Sequence, residues 1–143
     1  MFSKTCEYAI KATLYVAHQS QLDKRVGLKD IANAIASPEA FTAKILQILA
    51  KNEILKSIKG PTGGFEINAV KRDEIKLRDI VFAIDGNALF KGCGLGLDDC
   101  NSLKPCPLHH KFLSIRTEII EMLESTSLED LASDVNNGVS FLR

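Results

Sequence analysis

Cys93, Cys100 and Cys106 are separated by six and five residues, and His109 follows the last by three. Thiolates at such intervals on a flexible stretch can wrap one metal centre. Gly92, Gly94 and Gly96 let the backbone come close and aim N–H groups at sulfur or sulfide. Zinc sites favour cysteine pairs two to four residues apart, and this stretch has no Cys-x-x-Cys. The wider gaps suit a larger object, an iron–sulfur cluster of the 2Fe–2S or 4Fe–4S type, and Cys106-Pro107 echoes the Cys-Pro that closes some cluster motifs. Three sulfurs leave one position for another ligand. His109 and His110 are the local candidates, and Glu7 of the partner subunit is a third. Imidazole or carboxylate holds iron less firmly than thiolate, so that corner would be open to oxygen or nitric oxide. Disulfide formation or zinc binding by the same cysteines is the competing chemistry. Cys6, on an apolar helix face, is expected to be buried and inert.

These cysteines lie in residues 86–107, which carry four Gly and two Pro with little periodicity. A structureless stretch this long inside a small domain is usually functional. Before it, Ser3 can cap a helix with Cys6, Ala9, Ile10, Thr13, Leu14 and Ala17 on one face. A short second helix places Leu28, Ile31, Ala32 and Ile35 together. Ser37 as N-cap, Pro38 in the first turn and Glu39 on the dipole mark a third helix, continuing through Phe41, Ile45, Ile48 and Leu49. Ile54–Ile58 and Phe65–Ile67 flank Lys59-Gly60-Pro61-Thr62-Gly63-Gly64 and read as a hairpin. Three helices and a hairpin form a winged helix-turn-helix.

Helical pattern resumes at Leu77, Ile80, Val81 and Ile84 and stops at Gly86. After the cysteines, Leu108, Phe112, Ile115, Ile119 and Met122 alternate spacings of four and three, as in a coiled-coil seam. Such a seam serves equally as internal core. Two-fold symmetry, which operator-reading helix-turn-helix proteins use, favours a dimer interface. Ser127-Leu128-Glu129-Asp130 resembles a capping box before a short last helix. The expected organisation is mainly α with a small β-hairpin: a DNA-binding domain over 1–85, a cluster-binding loop over 86–107, and a dimerisation helix with C-terminal segment over 108–143.

A recognition helix offers its early side chains to base edges while nearby cations hold phosphates. Ser37, Glu39, Ala40, Phe41, Thr42 and Lys44 occupy those positions, with Lys44 suited to guanine and Thr42 to a thymine methyl. Lys51, Lys56 and Lys59 extend the basic face, and Lys59 with the slim Gly60, Thr62 and Gly63 tip fits a minor groove.

Composition agrees. The 143 residues carry no net charge and are 45% hydrophobic, an ordinary globular composition that fits one domain. Residues 1–65 hold nine Lys/Arg against five Asp/Glu, whereas residues 66–143 hold nine against thirteen. That asymmetry fits a basic half facing a polyanion. No run approaches a membrane span and no secretory pattern opens the chain, so a cytoplasmic protein is expected. Neither a nucleotide-binding loop nor a catalytic triad is visible, which argues against an enzyme or electron carrier.

The chain resembles the Rrf-two family of bacterial winged-helix regulators, the IscR- and NsrR-like iron–sulfur sensors. Glu7-Tyr8-Ala9-Ile10-Lys11-Ala12 looks like the family's opening, and Lys59-Gly60-Pro61-Thr62-Gly63-Gly64-Phe65 its wing, with Lys59 in place of arginine. Leu77-Arg78-Asp79-Ile80-Val81-Phe82-Ala83-Ile84-Asp85-Gly86 matches the helix before the cluster loop. The resemblance implies a homodimer with crossed long helices, bound to double-stranded operator DNA and carrying a cluster on Cys93, Cys100 and Cys106. His109 matches the histidine ligand of the IscR-like proteins. Glu7 matches the helix-one carboxylate that NsrR-like proteins supply from the other subunit. Cys93 and Cys100 stand one residue further apart than in IscR, and Ala43 replaces an acidic side chain that helps set IscR's site preference, so operator sequence does not carry over.

Overall fold

A computed structural model describes residues 1–142; residue 143, the end of the segment expected for dimerisation, lies outside the described residues. Ten elements follow in order: α1 (Lys4–Gln21), α2 (Leu28–Ala34), α3 (Glu39–Lys51), β1 (Lys56–Ile58), β2 (Gly64–Glu66), α4 (Ala69–Glu74), α5 (Leu77–Asp85), α6 (Ala88–Lys91), α7 (His109–Ser125) and α8 (Leu128–Asn136).

α1 is the central post. Ser3 Oγ accepts from the Cys6 N–H, and the Ser3 N–H and hydroxyl donate to Asp85 at the end of α5. Cys6, Ala9, Ala12, Thr13, Val16 and Ala17 are all buried, a wider arc than one apolar stripe. Their small side chains let α2, α3, α5 and α8 pack closely around one helix. Thr13 is accommodated because its hydroxyl donates to the Ala9 carbonyl at 2.7 Å.

Ala36 takes a left-handed φ of 52°, which lets α2 and α3 meet almost without a loop. Here the cap differs from expectation. Ser37 does not cap α3: its N–H closes the α2 turn on the Ala32 carbonyl at 2.9 Å, and its hydroxyl turns inward without a partner among the described residues. Pro38 is the N-cap, and its carbonyl accepts from both the Thr42 N–H and hydroxyl at 2.9 Å. The buried face of α3 is therefore Thr42, Ile45, Leu46 and Leu49, while Ile48, expected inside, is 38% exposed.

β1 and β2 pair antiparallel, Lys56 with Glu66, Ser57 with Phe65 and Ile58 with Gly64. Gly63 must be glycine, since a Cβ would stand 2.2 Å from the Ile58 carbonyl oxygen. Val26 adds a bridge to Phe65, its N–H donating to the Phe65 carbonyl at 3.2 Å and its carbonyl accepting at 2.7 Å. α4, not foreseen, is capped by Asn68 and orients the buried Arg72, which donates to the Ile67 carbonyl at 2.8 Å and to Glu129 of α8 at 2.5 Å. Ser127 caps α8 as expected, accepting from the Asp130 N–H at 3.1 Å, and Leu128 and Ala132 join the α1 core. A smaller cluster of Cys6, Val81 and Leu123 seats α7 on α5 and α1.

Candidate nucleic-acid interface and cysteine loop

On α3 the exposed side chains are Glu39, Ala40, Lys44, Gln47, Ile48 and Lys51. Lys44, Gln47 and Lys51 follow one another at helical spacing, so one face carries two cations and an amide. Thr42 cannot touch a thymine methyl: it is fully buried, held inward by its bond to Pro38. Phe41 is half-buried, edge-on to Tyr8 at 5.6 Å, and Lys11 lies over the Tyr8 ring at 4.9 Å. Phe41 thus orients α3 on α1. Ser37 sits half-buried at the turn. Lys56, Lys59, Gly60 and Thr62 are exposed on the wing, with Gly63 half-buried beneath them.

Gln47, in the third turn of α3, lies beyond the early positions expected to meet bases; a glutamine amide can bond both N6 and N7 of adenine. Arg25 was missed too. Its side chain donates to Glu66 at 3.1 Å and to the Thr62 carbonyl at 2.9 Å, bracing the wing tip against the strand end.

The cysteine loop is partly ordered. Asn87 starts the short α6, and Gly86, with φ of 66°, ends α5. Cys93 lies in a turn closed by the Gly96 N–H on its carbonyl at 2.9 Å. The backbone N–H groups of Leu95 and Leu97 pull the Cys93 thiol below the usual range, with help from the Cys106 side chain and the charge of Arg116. Cys100 Sγ stands 3.5 Å from Nδ1 of His109, a buried residue at the start of α7. Exposed His110 meets the His109 ring edge-on at 5.2 Å. Gly94 passes so close to Phe112 that a Cβ would lie 2.4 Å from the ring.

The donors therefore group in twos: Cys100 touches His109, and the Cys106 side chain acts on the Cys93 thiol. Among the described residues, no three His, Cys, Asp or Glu side chains converge closely enough to hold a metal ion. Glu7 is bound to Lys4 at 2.9 Å, and that ammonium holds its carboxyl below the usual range. The donor chemistry, three sulfurs and one imidazole with N–H groups on one sulfur, fits a thiophilic centre. Closing the loop on one centre would require the two pairs to draw together. Cys6 is fully buried, and desolvation, with the Asp85 charge second, pushes its thiol up to about 12.

The sequence pattern of the Rrf2 family, described as iron-dependent transcriptional regulator, matches residues 2–134. The chain belongs to the Rrf2 family. Its relatives are transcriptional regulators, not enzymes, and DNA binding comes with the family. The HTH-type transcriptional regulator IscR of Photorhabdus laumondii subsp. laumondii is 31% identical over 130 residues, covering 91% of this chain and 76% of that protein. Among solved structures, CymR, the global cysteine regulator of B. subtilis, has TM-score 0.75 at 24% identity over 93% of this chain and 96% of its own. T. potens IscR has TM-score 0.74 at 21% identity over 99% of this chain and 92% of its own. These likenesses establish the winged-helix fold for an Rrf2 member. No helix among the described residues is long and apolar enough to cross a membrane.

Proposed function

We propose that this Rrf2 member is a cytoplasmic homodimer whose affinity for operator DNA is set by an iron–sulfur cluster on Cys93, Cys100, Cys106 and His109. The observation that carries this reading is the contact of Cys100 Sγ with His109 Nδ1 at 3.5 Å, which puts an imidazole from a long helix beside a loop sulfur. It favours His109 over Glu7 of the partner subunit as fourth ligand. When bound, the cluster would supply iron whose oxidation, nitrosylation or loss changes what the loop can coordinate.

The protein's own part is mechanical. The N–H groups of Leu95 and Leu97 stabilise negative charge on Cys93 sulfur. His109 begins α7, so a change at the loop reaches that helix at its first turn. Along α7 and its N-cap, Leu108, Ile115 and Met122 share one face and remain 36%, 54% and 43% exposed, an apolar surface suited to a second copy. Glu39, Ala40, Lys44 and Gln47 would face bases, while Lys51, Lys56 and Lys59 hold phosphates and the Gly60–Gly63 tip enters the minor groove. A signal that moves DNA occupancy from 1:99 to 99:1 must favour one state by about 5.5 kcal/mol.

Anaerobic purification or reconstitution tests the reading. Brown protein with iron and acid-labile sulfide in matching amounts, and iron lost in Cys100→Ser, is the expected result. A second reading, a thiol or zinc switch, draws on the Cys93–Cys106 pair and on the likeness to CymR. Colourless protein with stoichiometric zinc, or a reversible disulfide without iron, would replace the first reading with the second.

A further inference from the structure

Neither a ligand position nor a DNA contact accounts for Arg116. It lies on α7 two helical turns after His109, on the same face. Its guanidinium is half-buried and reaches into the loop with two arms. One Nη donates to the carbonyl of Gly92, the residue before Cys93, and the other stands 3.9 Å from Cys100 Sγ. Gly92 is itself tied to α6, its N–H donating to the Ala88 carbonyl at 2.8 Å. One side chain therefore grips the entrance of the loop and its middle cysteine, and roots both in the centre of α7.

We propose that Arg116 is the strut through which the cysteine loop acts on α7. The proposal deepens the sensing reading by naming a positioning residue for it. Three features of the arginine suit it to this task. Its planar fork makes two directed contacts at once, which a lysine ammonium cannot reproduce at two separated acceptors. Its permanent charge compensates sulfur anions that gather near it. Its root lies in the middle of α7 next to Ile115, so a shift of Gly92 or Cys100 is passed to the body of the helix and not only to its first turn. Phe112, Ile119 and Cys93, all partly buried, line the same open cleft as Arg116, so the strut lies along side chains at the surface.

Amide hydrogen exchange on the full-length, reduced, metal-free protein decides the matter. In Arg116→Gln, amides 92–100 should exchange about tenfold faster, with Gly92 and Gly96 as reporters, and residues 109–117 of α7 should also lose protection. Exchange in α1 and α3 should stay unchanged. Arg116→Lys keeps the charge without the fork and should resemble Arg116→Gln more than wild type; it carries the comparison if the glutamine variant fails to fold. Wild-type exchange over 92–100 in both variants would overturn the proposal. So would a loosened loop with wild-type protection of α7, since the clasp would then end within the loop. With no metal in the experiment, this result stands or falls separately from iron binding, which the reconstitution above decides.

Discussion

The helix-turn-helix body and the cysteine segment treat their apolar side chains in opposite ways. α1, α2, α3 and α5 close around a continuous core that α8 completes through Leu128 and Ala132. From residue 86 to residue 125, only His109 and Leu123 are buried. A 17-residue helix that buries two side chains leaves its stability to something beyond its own chain. The difference teaches that the DNA-reading half is complete as a fold, whereas the loop and α7 keep apolar surface that the proposed dimer and cluster would cover. A regulator benefits from that division, because segments of low local stability are the ones that can change state.

The sharpest way to probe this contrast is thiol labelling. At neutral pH, Cys93 should react with iodoacetamide as an accessible thiol, while Cys6 should react at least about a thousandfold more slowly, waiting on unfolding. Cys93 labelling should persist to lower pH than that of a free thiol, because its proton is lost more easily. For Cys6 the sign reverses. Between the ordinary 9.0 and about 12, the unfolded chain gives up this proton and the folded chain keeps it, so stability should fall as pH rises through that window. Equal labelling of the two cysteines would erase the distinction between the halves.

Next in size, Leu46→Ala in the core should cost about 2–5 kcal/mol in denaturant unfolding. The double change Ile115→Ser with Met122→Ser should weaken self-association at least about tenfold, read by analytical ultracentrifugation, and lower the unfolding midpoint less than Leu46→Ala does. A dimer unaffected by the pair would place the second copy elsewhere. The smallest effect belongs to the wing: Lys59→Ala should weaken duplex binding and lower the salt-dependence slope by about 1. Binding indifferent to salt would contradict the role given to Lys51, Lys56 and Lys59 together.

Much of the body was legible because its signals are local. Ser3, Ser127 and the Gly-Pro wing each announce a boundary through their own chemistry, and the spaced cysteines sit where periodicity fails. What was misread depended on neighbours. Thr42 counts as polar in any pattern, yet it buries freely once Pro38 satisfies its hydroxyl, and that rotates the inner face of α3 from Ile48 toward Leu46. Ser37 has the composition of a cap, but the left-handed Ala36 commits its N–H to α2. α4 has six residues, too few to establish a period. Arg116 is an unremarkable cation on a helix until the fold carries Gly92 and Cys100 to it. Local chemistry is written in short stretches; the joints between distant segments are not.

One comparison bears most directly on the whole account: duplex binding by cluster-loaded protein, metal-free protein and a variant with Cys93, Cys100 and Cys106 all changed to Ser, using fragments of promoter DNA under anaerobic conditions. Loaded and metal-free wild type should differ in affinity for at least one fragment, and the serine variant should match the metal-free form whatever iron is supplied. Identical affinity across all three, for every fragment that binds, would show that the sulfurs do not govern DNA reading.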